Sequence, residues 1–188
     1  MSARDAKALQ ADLILHADVA AEPVQPSDGL RDAVLRSLAA PAALAGFARR
    51  LAEMFDLGEA RAVELLGMAA HAQDEPWEPA LLTSSRTAEG ARLLHFDGGP
   101  RVAEADCGLV QIDPGVRFPE HVHDGDEWSL VLAGAAEEEG SGATWLPGDL
   151  VHRAAGSRHA FHVTSREPFV FAVVLEGPIR VVENLSAR

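Results

Sequence analysis

The stretch GVRFPEHVHDGDEWSLVLAG, residues 115–134, places two histidines one residue apart and follows them with a glutamate that opens an apolar run. Side chains two residues apart in a β-strand point to the same face, so His121 and His123 present both imidazoles to one side. In one continuous strand Glu127 would lie about 20 Å from His121, at roughly 3.3 Å per residue. These three side chains can share a metal ion only if the chain reverses between them.

The segment DGD, residues 124–126, supplies a reversal, because Asp and Gly favour turns and Gly125 is free to adopt positive φ. We therefore predict a hairpin in which EHVH pairs antiparallel with EWSL. This hairpin would bring Glu127 beside the two histidines.

A further ligand is expected from a neighbouring strand, and the stretch GDLVHRAAGSRHAFHV, residues 148–163, offers three histidines. His159 is the favoured candidate because it opens a strand directly after a turn that contains Gly156. His152 and His162 are expected either to contact the ligands or to lie at the surface.

The second half of the chain consists of short β-type runs separated by turn segments such as DGGP, DPG and GSG. Many short strands at close spacing predict an antiparallel sandwich or barrel. The run FVFAVVL, residues 169–175, is apolar on both faces, so it should lie inside, with helices or a second subunit behind it. The acidic segment AAEEEGSG, residues 135–142, is interpreted as a solvated hairpin tip.

In the first half of the chain the apolar residues are spaced differently from those in the second half. Apolar residues recur at spacings of three and four between about residues 5 and 72, which predicts helices, and the proline-containing segment 20–29 reads as a linker. We expect a helical region over 1–75 and a β domain over 76–188. The predicted apolar stripes are Leu30, Val34 and Leu38; Phe47, Leu51 and Met54; and Ala62, Leu65, Leu66 and Ala69.

Composition narrows the class of protein. The 188 residues are 47% hydrophobic and 24% charged, which is typical of a globular chain. The net charge of −13 argues against direct nucleic-acid binding and permits a basic protein partner. No apolar run approaches the roughly 20 residues of a membrane span, so no membrane association is expected. The single cysteine excludes an intrachain disulfide and fits the cytoplasm.

The spacing in residues 115–134 resembles the first motif of the cupin superfamily, G-x5-H-x-H-x3-E-x6-G, at every fixed position. Residues 148–163 resemble the second motif through Gly148, Gly156 and His159, although Ala154 and Val163 replace its usual proline and asparagine. The resemblance implies a small jelly-roll antiparallel β-barrel preceded here by an N-terminal α-helical segment. It also implies one divalent metal ion held by His121, His123, Glu127 and His159.

Imidazole and carboxylate ligands suit zinc, iron, manganese or nickel, and ligand softness does not separate these metals. One interpretation is a metal-dependent cupin enzyme, a dioxygenase or an isomerase, acting on a small molecule. Several polar or reactive side chains are candidates to line its pocket or contact its ligands: Cys107, Gln111, Arg117, Ser129, Trp145, His152 and His162. Cys107 itself is expected to be buried as a small apolar group.

The order of helices followed by a compact cupin resembles the ChrR-type anti-sigma factors. This resemblance implies a zinc-binding sensor or regulatory protein, a sigma factor as a partner and, by analogy with cupins, a homodimer. The family's N-terminal zinc motif, H-x3-C-x2-C, is absent, since residues 1–80 contain only His16 and His71 and no cysteine. The regulatory and enzymatic hypotheses are both carried forward.

Overall fold

The computed structural model describes residues 46–70, 77–83 and 86–182. The predicted linker at 20–29 and the helix with the Leu30, Val34 and Leu38 stripe lie outside these residues. Two helices are described, α1 (Ala48–Phe55) and α2 (Glu59–Ala70), and a short 3-10 turn spans Pro100–Val102. Neither of these helices has the length and apolar character needed to cross a membrane.

Eleven strands follow the helices within the described part of the chain. Their bounds are β1 (Glu78–Thr83), β2 (Arg86–His95), β3 (Asp106–Ile112), β4 (Arg117–His123), β5 (Glu127–Ala133), β6 (Ala136–Glu138), β7 (Thr144–Trp145), β8 (Leu150–Arg153), β9 (Arg158–Val163), β10 (Phe169–Leu175) and β11 (Ile179–Val181).

The strands form two antiparallel sheets that enclose a common interior. One sheet has the order β1-β2-β3-β10-β5-β8, and the other has the order β11-β4-β9-β6-β7. This arrangement confirms the predicted mainly-β jelly-roll fold with helices before it.

The predicted hairpin between EHVH and EWSL is wrong. Strand β4 pairs with β9 and β11 in the five-stranded sheet, whereas β5 pairs with β10 and β8 in the six-stranded sheet. The DGD turn therefore carries the chain from one sheet to the other. Gly125 is not among the positive-φ glycines. Its role is close packing instead, because a Cβ there would lie 2.5 Å from the Glu176 carbonyl carbon and from the Gly177 nitrogen.

Two apolar clusters share the six-stranded sheet. On its outer face, Leu51 and Phe55 of α1 belong to the same cluster as Leu130 of β5 and Ala172 of β10. On its inner face, Phe169 of β10 belongs to the cluster that lines the interior of the barrel. The predicted double burial of FVFAVVL is confirmed, and helices are what lie behind it.

Replacing Gly125 with alanine should destabilise the protein by about 1–3 kcal/mol, because the new methyl group must displace the Glu176–Gly177 backbone. Gly67→Ala is the matched control, since Gly67 lies in α2 with no atom near its Cβ position. That change should instead stabilise the helix by about 0.5–1 kcal/mol. Urea unfolding measures both variants, and equal stability of Gly125→Ala and the parent protein would contradict the packing argument.

Candidate metal centre

Strand pairing brings three histidines together inside the barrel. His121 of β4 is the register partner of His159 of β9, and His123 follows two residues later on the same face as His121. All three are buried, with 2%, 0% and 7% exposure for His121, His123 and His159 respectively. One ligand-capable nitrogen from each histidine lies within 4.8 Å of those from the other two.

Hydrogen bonding indicates how the imidazoles are oriented. Nδ1 of His121 lies 2.9 Å from the carbonyl oxygen of Pro119, so it is the nitrogen that donates, and Nε2 keeps its lone pair. Nε2 of His123 lies 3.0 Å from Nε2 of His159. A backbone carbonyl that fixes one ring nitrogen as the donor is the usual arrangement behind a metal-bound histidine.

These residues fit a divalent metal ion. Two nitrogens bound to one ion at about 2.1 Å are about 3.0–3.4 Å apart in octahedral or tetrahedral geometry, and the Nε2 atoms of His123 and His159 have that spacing. Within the described residues, Nδ1 of each of these histidines is buried without a hydrogen-bond partner. Three imidazoles suit zinc, iron or nickel, and the ligand type does not separate these metals.

Burial keeps the three imidazoles uncharged. Burial and the neighbouring His121 together lower the pKa of His123 to about 4 and the pKa of His159 to about 2. Burial also lowers the pKa of His121. All three side chains are therefore neutral near pH 7, which is the form that binds metals.

Glu127 reaches the same interior from the opposite sheet. Its Oε1 accepts a 2.7 Å hydrogen bond from the Ser129 hydroxyl, and its Oε2 lies 3.3 Å from Nδ1 of His123. Burial raises the pKa of the Glu127 carboxyl, although the Ser129 hydrogen bond opposes that shift. Glu127 is not part of the cluster that the three histidines form, and its role as a fourth metal ligand stays a prediction.

Sequence reasoning missed an ion pair beside His159. Glu138 is only 9% exposed, and its Oε1 lies 2.5 Å from a guanidinium nitrogen of Arg153 and 3.6 Å from Nδ1 of His159. The Arg153 guanidinium also lies over the Trp145 ring, 5.3 Å from its centroid. The interpretation of residues 135–142 as a solvated tip is therefore wrong for Glu138. The alternation in AEE, residues 136–138, was the available signal, since Ala136 is buried on the same face.

Two of the three histidines, His121 and His159, open onto a cavity of about 660 Å³ between the two sheets. His121, His159 and Glu127 contribute polar atoms to its wall, together with Ser129. The rest of the inner wall is largely apolar: Val110, Phe118, Val131, Trp145, Val151, Phe161, Phe169, Phe171, Val173 and Leu175. Of the predicted pocket residues, Ser129 and Trp145 thus lie in the cavity wall.

The other five predicted pocket residues do not line this cavity. Cys107 is buried as expected, but in the cluster beneath the helices, and Gln111 lies four residues farther along the same face of β3. Arg117 forms an ion pair with Glu139, 2.5 Å away. His162 is the register partner of Arg117.

His152 lies at the surface rather than beside the metal cluster. Its ring stacks on Trp128 with centroids 4.1 Å apart, and its Nε2 lies 2.9 Å from Asp126 Oδ2. Strand parity explains this position, because His152 and Trp128 are register partners on the outer face of the six-stranded sheet.

After removal of metal by a chelator, the stability of the protein should fall on acidification. Between about pH 6.5 and pH 4 the unfolded chain protonates His123 while the folded chain does not, so unfolding takes up a proton. Each such histidine lowers the free energy of unfolding by about 1.4 kcal/mol for each unit by which the pH falls in this range. The raised pKa of Glu127 acts in the opposite direction.

Comparison of the parent protein with His123→Asn isolates the histidine contribution, because Glu127 is present in both proteins. Urea unfolding at about pH 5 and about pH 7 should show a smaller loss of stability in the variant. Equal losses in the two proteins would refute the assignment.

Glu138→Gln should weaken metal binding about tenfold, because the Glu138 carboxylate lies 3.6 Å from Nδ1 of His159 and its negative charge stabilises a cation held by that imidazole. It should also lower the free energy of unfolding by roughly 1–3 kcal/mol, since Arg153 loses its counter-charge in a partly buried position. Glu137→Gln removes a charge from the same strand without touching this pair. Zinc titration against a competing chelator compares the variants, and indistinguishable affinities would contradict this role of Glu138.

Comparison with known proteins identifies the fold. Residues 108–176 match the family described as Cupin domain. A search among curated proteins found no match to the sequence.

Several solved structures have a similar chain trace. A structure of the DMSP lyases RdDddP and RnDddQII is 16% identical, with 66% of this chain and 70% of that chain covered and a TM-score of 0.50. An acetylacetone dioxygenase from Acinetobacter johnsonii is 16% identical, with coverage of 61% and 76% and a TM-score of 0.49. An RmlC-like cupin protein from Ralstonia eutropha is 18% identical, with coverage of 60% and 69% and a TM-score of 0.49.

The identity to the DMSP lyases is low enough that it indicates a shared fold and not a shared activity. Residues 108–176, which include all three buried histidines, match the Cupin domain, and the two antiparallel sheets have the jelly-roll-like fold of cupins.

Proposed function

We propose that this chain is a metal-dependent cupin enzyme that binds a small, largely apolar molecule inside its barrel. The observation that carries the proposal is that His121 and His159 form part of the wall of the 660 Å³ cavity. A cavity of this volume falls within the range of about 300–1,000 Å³ that is usual for small-molecule sites. A metal held by these histidines would face the space that the molecule occupies.

The roles of the side chains follow from their positions. His121, His123 and His159 would hold the ion. When bound, the metal supplies Lewis-acid polarisation of an oxygen or nitrogen atom of the ligand. The apolar wall around the centre, which includes Phe161 and Val173, excludes water from the polar groups.

Glu127 is the best-placed group to accept or donate a proton. Its carboxyl lies in the cavity wall, burial raises its pKa towards neutrality, and Ser129 fixes the orientation of Oε1. The sequence contains no tyrosine, so no phenol competes for this role. These features favour a proton-transfer reaction of the isomerase type. The dioxygenase alternative requires iron at the same centre.

The ChrR-like sensor role, the sigma-factor partner and the homodimer stay predictions from sequence resemblance. A sensor needs the metal centre but has no need for a ligand-sized cavity beside it. We therefore favour the enzyme, and the experiment below also separates the two roles.

The test uses the full-length protein with zinc, iron, manganese or nickel restored to it after chelation. Fragment binding is followed by ligand-observed NMR, and metal content is measured by mass spectrometry in the same samples. Stoichiometric metal and metal-dependent binding of apolar fragments are expected. Glu127→Gln should retain fragment binding and lose proton exchange into bound carbonyl fragments.

His159→Ala should lose stoichiometric metal, whereas the matched control His152→Ala should keep it, because His152 lies at the surface. Full metal content in His159→Ala would refute the assigned centre. Stoichiometric metal with no fragment binding would refute the enzyme and favour the sensor role.

A further inference from the structure

The cavity carries a distinctive charge pattern at its outer end. Four exposed carboxylates lie along its wall, those of Glu78, Glu104, Asp106 and Glu176. Within the part of the chain that the structure describes, no lysine or arginine lines the cavity. The outer end therefore has a negative potential.

Among the described residues that line this end, the one basic group is His95, and it is already paired. Nδ1 of His95 lies 2.8 Å from Oδ1 of Asp106, and both side chains are about half exposed. A positive charge on His95 would thus be balanced by Asp106. The carboxylates of Glu78, Glu104 and Glu176 have no such partner among the described ion pairs that involve the cavity wall.

The inner end of the same cavity has the opposite character. The His159 side chain is only 4% exposed and lines the cavity, and its Nδ1 has no hydrogen-bond partner among the described residues. A molecule in the cavity would therefore meet buried metal-ligand side chains in the interior and exposed carboxylates where the cavity opens to solvent.

We propose that this cavity selects molecules whose outward end is neutral or cationic and excludes molecules whose outward end is anionic. The inference rests on the proposed function and adds the class of substrate to it. An apolar-walled cleft lined by charges of one sign concentrates ligands of the opposite sign. The metal-binding head of such a molecule can be neutral or anionic, because a metal cation held by the histidines accepts both kinds of donor atom.

The expected size of the effect follows from Coulomb interaction. A carboxylate about 10 Å from a ligand charge in water changes its binding about twofold. Three or four carboxylates together should separate a cationic from an anionic outward end by at least about tenfold at low ionic strength. The difference should shrink several-fold at about 0.5 M salt, where screening acts within about 4 Å.

The test uses three probes that share an imidazole head and differ at the far end: 1-(3-aminopropyl)imidazole, 1-butylimidazole and 3-(imidazol-1-yl)propane-1-sulfonate. Each is titrated calorimetrically into the zinc-loaded full-length protein at about pH 8, where the imidazole heads are neutral. The expected order of affinity is amine, butyl, then sulfonate. A sulfonate that binds as tightly as the amine at low salt would overturn the inference.

A matched pair of variants locates the effect. Glu78→Gln, Glu104→Gln and Glu176→Gln together should abolish the order of affinity. The control removes three exposed acids outside the cavity wall, through Glu59→Gln, Glu64→Gln and Glu167→Gln, and should preserve the order. An order that persists in the first variant would also overturn the inference.

Zinc content measured in the same samples keeps this test separate from that of the proposed function. Absence of zinc would refute the metal centre itself. Stoichiometric zinc with no binding of any probe would overturn the inference about the outward end and leave the metal centre in place.

Discussion

The pairing of β4 with β9 is the constraint on which the site depends. It sets His121 directly opposite His159, and two further backbone hydrogen bonds hold the end of the pair: His123 N–H donates to the Ser157 carbonyl, and Gly156 N–H donates to the His123 carbonyl. A slip of one residue would turn the imidazoles of one strand to the outer face. The three histidines can therefore form a metal centre only when β4 and β9 pair in this register.

Burial gives the centre its electrostatic character. An apolar wall disfavours charge, so the histidines stay neutral and the Glu127 carboxyl resists ionisation. The Glu138–Arg153 pair is the exception, and its two opposite charges satisfy each other at the edge of the wall. A bound cation would therefore be the main net charge at the inner end of the cavity, facing the carboxylates at the outer end.

Local patterns predicted the fold class and most of the histidine cluster. A period of two identified His121 and His123, and the turn before His159 marked its strand. All four framing glycines of the two motifs have positive φ, which explains their fixed positions: Gly115, Gly134, Gly148 and Gly156. The hairpin prediction was wrong because a turn sequence indicates that the chain changes direction, but does not indicate which sheet the next strand joins. Glu138 was missed because its partner, Arg153, is brought close only by the pairing of distant strands.

Strand β10 separates two compartments with a single thickness of backbone. Its even-numbered residues Val170, Ala172 and Val174 belong to the cluster under the helices, while Phe169 and Val173 belong to the barrel interior. Adjacent residues of β10 therefore face different environments. Substitutions at the odd-numbered positions can change the shape of the cavity, while the even-numbered residues keep their contacts with the helices. Ligand specificity can therefore change through the odd-numbered positions with little loss of fold stability.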